Sequence, residues 1–307
     1  MNSERMMMPR VAIVIVVWNG KADTMECLQS LDEDRYPNKE IIVVDNGSTD
    51  DSVAEIRRSF QSVVILQTGS NLGFTGGNNI GIRCALERQS DYIFLLNNDT
   101  TVEPDAMEQL VAAAEAEPDY GLLAPVIHCF YPPREIWFAG SRLELHRGAA
   151  WHDNSRQPDR DQPPYEVPWA TGCAMLIPSR LLRDLGGFDD RYYLSWEDVD
   201  LCLRFRKAGY AVAAVPAARI YHKGGRSGQR MPEGKYYYTV RNSLLLVRKH
   251  ADLLPYIVAA LRIMWLSLRN CRRLYNHERG EVQRYMRTTF DGVRDHLLGR
   301  YGAYRSR

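Results

Sequence analysis

Three carboxylates, Glu197, Asp198 and Asp200, lie within four residues at the start of a predicted helix that ends near Ala208. Acidic side chains favour a helix N-terminus, which accounts for one or two of them. It does not account for the aromatic rings that precede them, whose flat faces suit a sugar: Tyr192, Tyr193 and Trp196. A carboxylate held beside such rings can act as a general base towards a hydroxyl group. Because Glu197 and Asp198 are adjacent and point in different directions, we expect only one of them to be the base.

Two aspartates follow apolar runs that read as strands. Asp45 comes directly after Ile41–Val44, and Asp99 follows Tyr92–Leu96. Asp45 is predicted to be buried, so it needs a partner, and its carboxylate can accept hydrogen bonds from a nucleobase imide or a ribose hydroxyl. Asp99 together with the distant His222 would suit Mg²⁺ or Mn²⁺ that is also held by phosphate oxygens. A turn-forming aspartate and a hydrogen-bonded structural histidine remain the alternatives.

Two glycine-rich loops are further candidates for ligand contacts. The first, residues 71–79, contains Gly73 and leads into a helix predicted over Asn78 to Arg88. Glycines let backbone approach a ligand, and a helix start attracts anions. The loop lacks the dinucleotide fingerprint, and the chain has no GxxxxGK[ST] motif. The second loop, from Lys223 to Lys235, could bring Lys223, Arg226 and Arg230 to a diphosphate, or be a solvated linker.

The elements that must position these residues form an alternating pattern. The apolar runs predicted as strands are Val11–Val17, Ile41–Val44, Val63–Leu66 and Tyr92–Leu96. Helices are predicted between or after them, over Asp51 to Phe60 with Ser48 and Asp51 as a capping pair, over Asn78 to Arg88, and from Pro104 onwards. Such alternation indicates a parallel sheet covered on both faces, with a ligand at the carboxyl ends of its strands.

The second half of the chain is less regular. Six of the 15 prolines fall between Cys129 and Pro168, which predicts an insertion or a loop. Strands are predicted again over Trp169 to Ile177 and Val212 to Val215.

Composition excludes several classes of protein. The chain has 307 residues, 45% hydrophobic and 25% charged, which is typical of a globular protein and not of a disordered or collagen-like one. A net charge of +1 argues against nucleic acid as a partner. The six cysteines are scattered, with neither CxxC pairs nor zinc spacing, so we expect a reducing cytoplasm. No run reaches the 18 or so apolar residues of a membrane span.

The charge is unevenly distributed. Residues 241–307 carry 14 Lys and Arg against 5 Asp and Glu, whereas the first 240 residues have a net charge of about −8. In this basic tail one predicted helical face carries Ile257, Leu261, Met264, Trp265 and Leu268, flanked by arginines. Such a helix fits an anionic lipid surface, at the inner face of the cell membrane. A helix docked on the rest of the chain, or in a homodimer interface, is the alternative.

Several of these segments resemble, in order, the motifs of family 2 inverting glycosyltransferases with the GT-A fold, most closely bacterial rhamnosyltransferase-like members. The matching segments are residues 11–19, 43–50, 71–74, 96–99, 172–174 and 196–202. The resemblance spans about residues 10 to 225 and continues weakly through residues 236–242. It implies an α/β GT-A domain over residues 1–230, with a nucleotide-binding half at about 10–125 and an acceptor half at about 126–230. A basic helical region, residues 231–307, follows.

The resemblance also implies roles for single residues. Asp198 would be the catalytic base beside Glu197, and Asp99 and His222 would bind Mg²⁺ or Mn²⁺. The remaining assignments are Asp45, Asn19, Gly73, Asn98 and Arg226 for a dTDP- or UDP-linked sugar, and Trp196 and Tyr193 for a saccharide or lipid-linked acceptor. Asn97 and Asn98 stand where the family often has a first acid, which leaves Asp99 as the main carboxylate ligand. A nucleotidyltransferase and a non-catalytic sugar-binding module are the alternatives.

Overall fold

The computed structural model describes residues 8–132, 135–153, 155–224, 232–275 and 279–304. Its strands are β1 Val11–Val17, β2 Lys39–Asp45, β3 Val64–Gln67, β4 Tyr92–Asn97, β5 Thr100–Val102, β6 Tyr120–Cys129, β7 Ile136–Phe138, β8 Ser141–Glu144, β9 Ala149–His152, β10 Tyr165–Glu166, β11 Ala174–Pro178 and β12 Ala211–His222. Its α-helices are α1 Lys21–Glu33, α2 Ser52–Ser59, α3 Gly73–Glu87, α4 Ala106–Ala116, α5 Ser179–Leu185, α6 Glu197–Lys207, α7 Pro232–His250, α8 Leu253–Tyr275 and α9 Arg279–Leu297.

A ten-stranded mixed sheet forms the centre of the molecule, in the order β10–β12–β6–β11–β4–β1–β2–β3, with β5 beside β12 and β7 beside β6. Strands β1 to β4 pair in parallel through β1 and β2, whereas β11 is antiparallel to both β4 and β6. The first four strands are rich in β-branched residues and largely buried, as expected for a sheet covered by helices. The predicted α/β fold with a mostly parallel sheet flanked by helices is confirmed.

The helices differ from the prediction in their starts. The capping pair is wrong: Asp51 makes no side-chain cap, Ser48 accepts a bond from the Asn19 N–H, and it is Asp50 that accepts the N–H of Ser52. Helix α3 begins at Gly73 rather than at Asn78, and α4 begins after Pro104 instead of at it. Helix α6 begins at Glu197, so the carboxylates occupy its first turn.

The proline-rich stretch is more ordered than predicted. It contains β7, the two-stranded sheet of β8 and β9, and β10 at the sheet edge. Strand β11 starts only at Ala174, so residues 169–173 of the predicted strand are not strand. The predicted strand Val212 to Val215 is part of the longer β12, which ends at His222.

The basic tail is helical, as predicted, and its helices α7, α8 and α9 pack against one another. Helix α7 is buried along Leu244–Val247 and contacts the segment before α6 through Arg241 and Asn242. None of the described helices is both long enough and apolar enough to cross a bilayer.

Candidate active site

A cavity of about 550 Å³ opens at the carboxyl ends of β1 and β4. It is bounded by the ends of these strands, by the first turn of α3, by the segment before α6 and by the end of β12. The lining side chains that bear on chemistry are Trp18, Asn46, Asn71, Gly73, Asn98, Asp99, Trp137, Tyr193, Trp196, Glu197, Asp198 and His222. Residues up to two hundred positions apart in the sequence therefore meet in one cavity, as the strand-end rule for α/β sheets predicts.

Asp99 and His222 lie together at one end of this cavity. Strand β12 pairs with β5 so that His222 is opposite Thr100, and the Lys223 N–H donates to the Asp99 carbonyl at 3.0 Å. This ladder brings the imidazole Nε2 to 3.2 Å from Asp99 Oδ1. Both side chains are buried, and neither ring nitrogen of His222 has a hydrogen-bond partner. A buried imidazole whose nitrogens make no hydrogen bond, beside a carboxylate, fits a divalent cation, and the metal site at these two residues stays a prediction.

Glu197 and Asp198 occupy another part of the cavity wall, in the first turn of α6. The Asp198 carboxylate accepts the Gly172 N–H on Oδ2 at 3.0 Å and the Val199 N–H on Oδ1 at 2.8 Å. These two bonds fix its orientation from both sides. Glu197 is 5% exposed, and its Oε2 has no hydrogen-bond partner.

The two carboxyl groups differ in their electrostatics. Burial raises the pKa of Asp198, while the N–H groups of Gly172 and Val199 oppose that rise. Burial and the neighbouring charge of Asp198 raise the pKa of Glu197 well above its ordinary value. The two N–H groups favour the ionised form of Asp198, whereas the charge of Asp198 disfavours the ionised form of Glu197, so Asp198 is the better candidate for a base.

A glycine turn at the start of α3 forms the floor of the cavity. Asn46 holds this turn, because its Nδ2 donates to the Gly73 carbonyl at 3.0 Å and its Oδ1 accepts the Leu72 N–H at 2.9 Å. Gly73 has φ +75°, and a Cβ on it would lie 2.5 Å from the Tyr193 carbonyl oxygen. Only glycine fits this position without displacing the segment before α6.

Three of the residues predicted to bind the nucleotide sugar lie at the same sheet edge but are engaged elsewhere. Asp45 is 4% exposed, does not line the cavity, and accepts the Ser48 N–H at 2.9 Å. Asn19 accepts the Thr49 N–H at 2.7 Å. Asn98 lines the cavity, and its amide donates to a threonine of α1 at 2.9 Å. Their contacts with a nucleotide stay predictions.

The glycine-rich loop that follows β12 is described only at its start. Lys223 is ion-paired with Asp23 of α1 at 2.9 Å and lies over the ring of Phe130. Lys223 is therefore held against α1, whereas the sequence analysis placed it in a loop that could carry it to a diphosphate. Arg226 and Arg230 lie outside the described residues.

The aromatic residues divide into two groups. Trp196 lines the cavity and is half-buried. Tyr193 also lines it, but one face of its ring stacks on Tyr238 with centroids 5.4 Å apart. Tyr192 is fully buried, with its hydroxyl on Asp200, so the suggestion that its ring faces a sugar was wrong.

Sequence reasoning missed two cavity tryptophans and Asn46. Trp18 follows β1 directly. Trp137 lies in the proline-rich stretch, and its ring packs edge-on against that of His222, with centroids 4.4 Å apart. Asn46 and Trp18 lie inside or beside motifs already singled out, so their positions at strand ends were the available signal. For Trp137 the surrounding prolines hid the short strand β7.

Comparison with known proteins identifies the class. Residues 12–186 match the model of the glycosyl transferase family 2, and the chain belongs to that family. It is therefore a glycosyltransferase, which sets aside the nucleotidyltransferase and the non-catalytic module.

Two curated relatives are rhamnosyltransferases. The chain is 30% identical over 211 residues to the N-acetylglucosaminyl-diphospho-decaprenol L-rhamnosyltransferase of Mycobacterium tuberculosis, covering 62% of this chain and 69% of that protein. It is 24% identical over 308 residues to the dTDP-rhamnosyl transferase RfbF of Shigella flexneri, covering 94% of this chain and 98% of that protein.

A solved structure with a similar fold is the mannosyltransferase PcManGT of Pyrobaculum calidifontis, determined in complex with GDP-Man and Mn²⁺. It matches with a TM-score of 0.58 at 15% identity, over 96% of this chain and 88% of that one. The GT-A fold implied by the sequence motifs is thereby confirmed.

Proposed function

We propose that this glycosyltransferase moves a sugar, with rhamnose the first candidate, from a dTDP- or UDP-linked donor to a saccharide or lipid-linked acceptor with inversion at the anomeric carbon. The observation that carries the proposal is the shared cavity, in which the Asp198 carboxylate and the Asp99–His222 pair face one space. The relatives named for rhamnosyl transfer support the choice of sugar. A decaprenol-linked acceptor in the name of one of them supports a lipid-linked acceptor.

The proposed step is a single displacement. The acceptor hydroxyl oxygen attacks the anomeric carbon while the bond to the diphosphate oxygen breaks and its electron pair leaves with the diphosphate. Asp198 accepts the hydroxyl proton, and its two backbone N–H partners hold the carboxylate in place for that transfer. Burial and the charge of Asp198 raise the pKa of Glu197 and so disfavour its ionised form, which is why we assign the base to Asp198 and not to Glu197.

Asp99 and His222 are the residues that would hold a divalent cation. Among the described residues no group of three or more His, Cys, Asp or Glu side chains could hold a metal ion. Two protein ligands leave the remaining positions to diphosphate oxygens, which is the usual arrangement for Mg²⁺ and Mn²⁺ at phosphate sites. A bound cation would stabilise the negative charge of the departing diphosphate.

The site is tested by a donor screen. Purified protein is incubated with a panel of dTDP- and UDP-sugars, with and without Mn²⁺, and released nucleoside diphosphate and the anomeric configuration of the product are measured. We expect transfer from one or a few donors with inverted configuration. Retained configuration would contradict a single displacement, and transfer from none of the panel would contradict the proposed donor class.

The tail supports contact with a membrane surface. One face of α8 leaves large apolar side chains exposed: Leu253, Leu254, Ile257, Val258, Leu261 and Trp265. In the same helix Arg269 is exposed over the Trp265 ring. The described acids of α9, Asp291 and Asp295, are buried, whereas Arg284 and Arg287 are exposed. An apolar face with arginines and with buried acids fits an anionic bilayer surface.

Vesicle flotation tests this contact through α8 side chains other than those of Met264 and Leu268, whose placement is not described. Wild type should float with vesicles that contain an anionic lipid and less with neutral ones. Leu261→Glu and Trp265→Glu should each lower the bound fraction, whereas Tyr131→Glu, at a residue 83% exposed outside the tail, should not. Equal flotation of all variants would exclude α8 as the contact, and a dimer that dissociates in the variants would assign the face to a second copy.

A further inference from the structure

The segment that leads into α6 is held in an unfavourable backbone conformation. Tyr193, Ser195 and Trp196 have φ of 64°, 69° and 74°, in the left-handed region that residues other than glycine rarely adopt. Glu197 and Asp198 follow directly, so the conformation of this acceptor loop, residues 191–196, sets where α6 begins. Such strain persists only where surrounding structure determines it.

Two side chains of α7 bind the acceptor loop through its backbone. The Asn242 amide nitrogen lies 2.9 Å from the Tyr192 carbonyl oxygen, 2.8 Å from that of Leu194 and 2.8 Å from that of Ser195. The Arg241 guanidinium donates to the Arg191 and Tyr192 carbonyls at 3.0 and 2.8 Å. Both side chains are fully buried. The carbonyls bound by Asn242 therefore include those on either side of Tyr193 and the one just before Trp196.

The glycine turn at the start of α3 also binds the acceptor loop. The Tyr193 carbonyl accepts the Phe74 N–H at 2.8 Å and the Thr75 N–H at 3.3 Å. These amides belong to the first turn of α3, the turn that Asn46 fixes. The acceptor loop is thus bound both by the glycine turn at the start of α3 and by α7 of the basic tail.

We propose that Asn242 is a positioning residue for transfer. It holds the acceptor loop in the left-handed conformation that presents Trp196 to the cavity and places the Asp198 carboxylate against Gly172. Arg241 supports the same carbonyls. The basic tail then contributes to catalysis by positioning the acceptor loop, in addition to any contact with a membrane surface. This inference rests on the proposed role of Asp198 as the base.

The test compares Asn242→Ala with Ser243→Ala, since Ser243 is a buried polar neighbour whose hydroxyl donates within α7, to the Val240 carbonyl. For Asn242→Ala we expect kcat at saturating donor and acceptor to fall by at least about tenfold, because small misplacements of reacting groups are costly. Nucleoside diphosphate affinity should change by less than about threefold, because Asn46 still holds the donor turn. Ser243→Ala should match wild type in both.

Hydrogen exchange supplies a readout that does not need turnover. In Asn242→Ala the amides of residues 193–198 should exchange at least about tenfold faster, while those of β1 and β4 stay unchanged. Adding Ser195→Gly should restore part of the lost kcat, because glycine adopts the left-handed conformation without a side-chain penalty. Recovery of this kind would not follow from a general loss of stability.

Several results would overturn the inference. One is unchanged kcat and unchanged hydrogen exchange in a folded Asn242→Ala protein. Another is hydrogen exchange that rises evenly across the sheet. A third is failure of both Asn242→Ala and Asn242→Ser to fold, which would assign Asn242 a purely structural role. If Asn242→Ala exchanges faster in the acceptor loop but the wild type transfers no sugar from any donor, the loop contact stands and the proposed function is contradicted.

Discussion

Replacing Asp198 by asparagine removes the proposed proton acceptor but changes the shape of the side chain very little. Loss of a general base lowers the rate by about 10²–10⁴-fold, which is about 3–5 kcal/mol in the activation barrier. The carboxylate accepts one backbone N–H on each oxygen, so the NH₂ group of asparagine must face either Gly172 or Val199. One of the two bonds is therefore lost. The N–H left unpaired lowers the free energy of unfolding by about 1–3 kcal/mol. We therefore expect a folded but less stable protein with very slow transfer.

The matched comparison is Glu197→Gln. Burial and the Asp198 charge raise the pKa of Glu197 and so disfavour its ionised form, and glutamine is a neutral side chain of similar shape. Transfer should then fall by less than about tenfold, since no proton-transfer step is removed. The assay measures kcat and kcat/KM for donor and acceptor, with nucleoside diphosphate affinity by calorimetry and the melting temperature as controls. Near-normal turnover in Asp198→Asn, or a larger loss in Glu197→Gln, would refute the assignment of the base.

Three further predictions concern the cation, the glycine turn and the tail. In Asp99→Asn the gain in UDP or dTDP affinity on adding Mn²⁺ should fall by about tenfold, and an undiminished gain in calorimetry would remove this carboxylate from the metal site. Gly73→Ala should weaken donor binding and lower the melting temperature more than Gly69→Ala, because both have positive φ but only the former meets the Tyr193 carbonyl, at 2.5 Å. Burial, with nearby arginines, lowers the pKa of His296 to about 4 from an ordinary 6.5, so its stabilising effect is complete above pH 6.5 and is lost as the pH falls towards 4. The free energy of unfolding should drop by about 2 kcal/mol between pH 8 and pH 5, and His296→Gln should remove that part of the pH dependence in denaturant titrations.

The strands were predictable because their signal is local. Runs such as Val11–Val17 are β-branched, short and bounded by polar residues, which distinguishes them from helices without any tertiary information. Helix α1 went unpredicted because its buried face mixes Thr24 and Cys27 with Leu28 and Leu31, which weakens the apolar periodicity.

The start of α3 was missed for a related reason. Gly73, Gly76 and Gly77 have low helix propensity, which argued for a loop. In the structure a Cβ on Gly77 would lie 2.8 Å from Val16 and one on Gly81 2.2 Å from Val14. These glycines allow the helix to approach the sheet closely, and that need arises from packing that the local sequence does not reveal.

The same limit applies to the site. The strand-end rule predicted that Asp99 would face the ligand, and the family resemblance added Asp198 and His222, which line the same cavity. The tail, by contrast, was described from its charge and the apolar face of one helix. Arginine is rarely buried, so nothing in the composition suggested that Arg241 would be fully enclosed. Its burial depends on carbonyls contributed from residues about fifty positions away.

Helix α6 shows how one helix uses two neighbouring carboxylates differently. The buried Asp200 is bound by Lys249 Nζ at 2.9 Å, His250 Nε2 at 2.7 Å and Arg204 Nε at 3.1 Å. Burial alone would raise the pKa of Asp200, but these partners hold it below its ordinary value. Asp198 has only N–H partners, and burial raises its pKa. The partners of Asp200 therefore favour its ionised form and tie it into the structure, whereas the pKa of Asp198 shifts in the direction of a more basic carboxylate. Opposite shifts within one turn are the pattern expected when environment assigns a structural and a catalytic role to like groups.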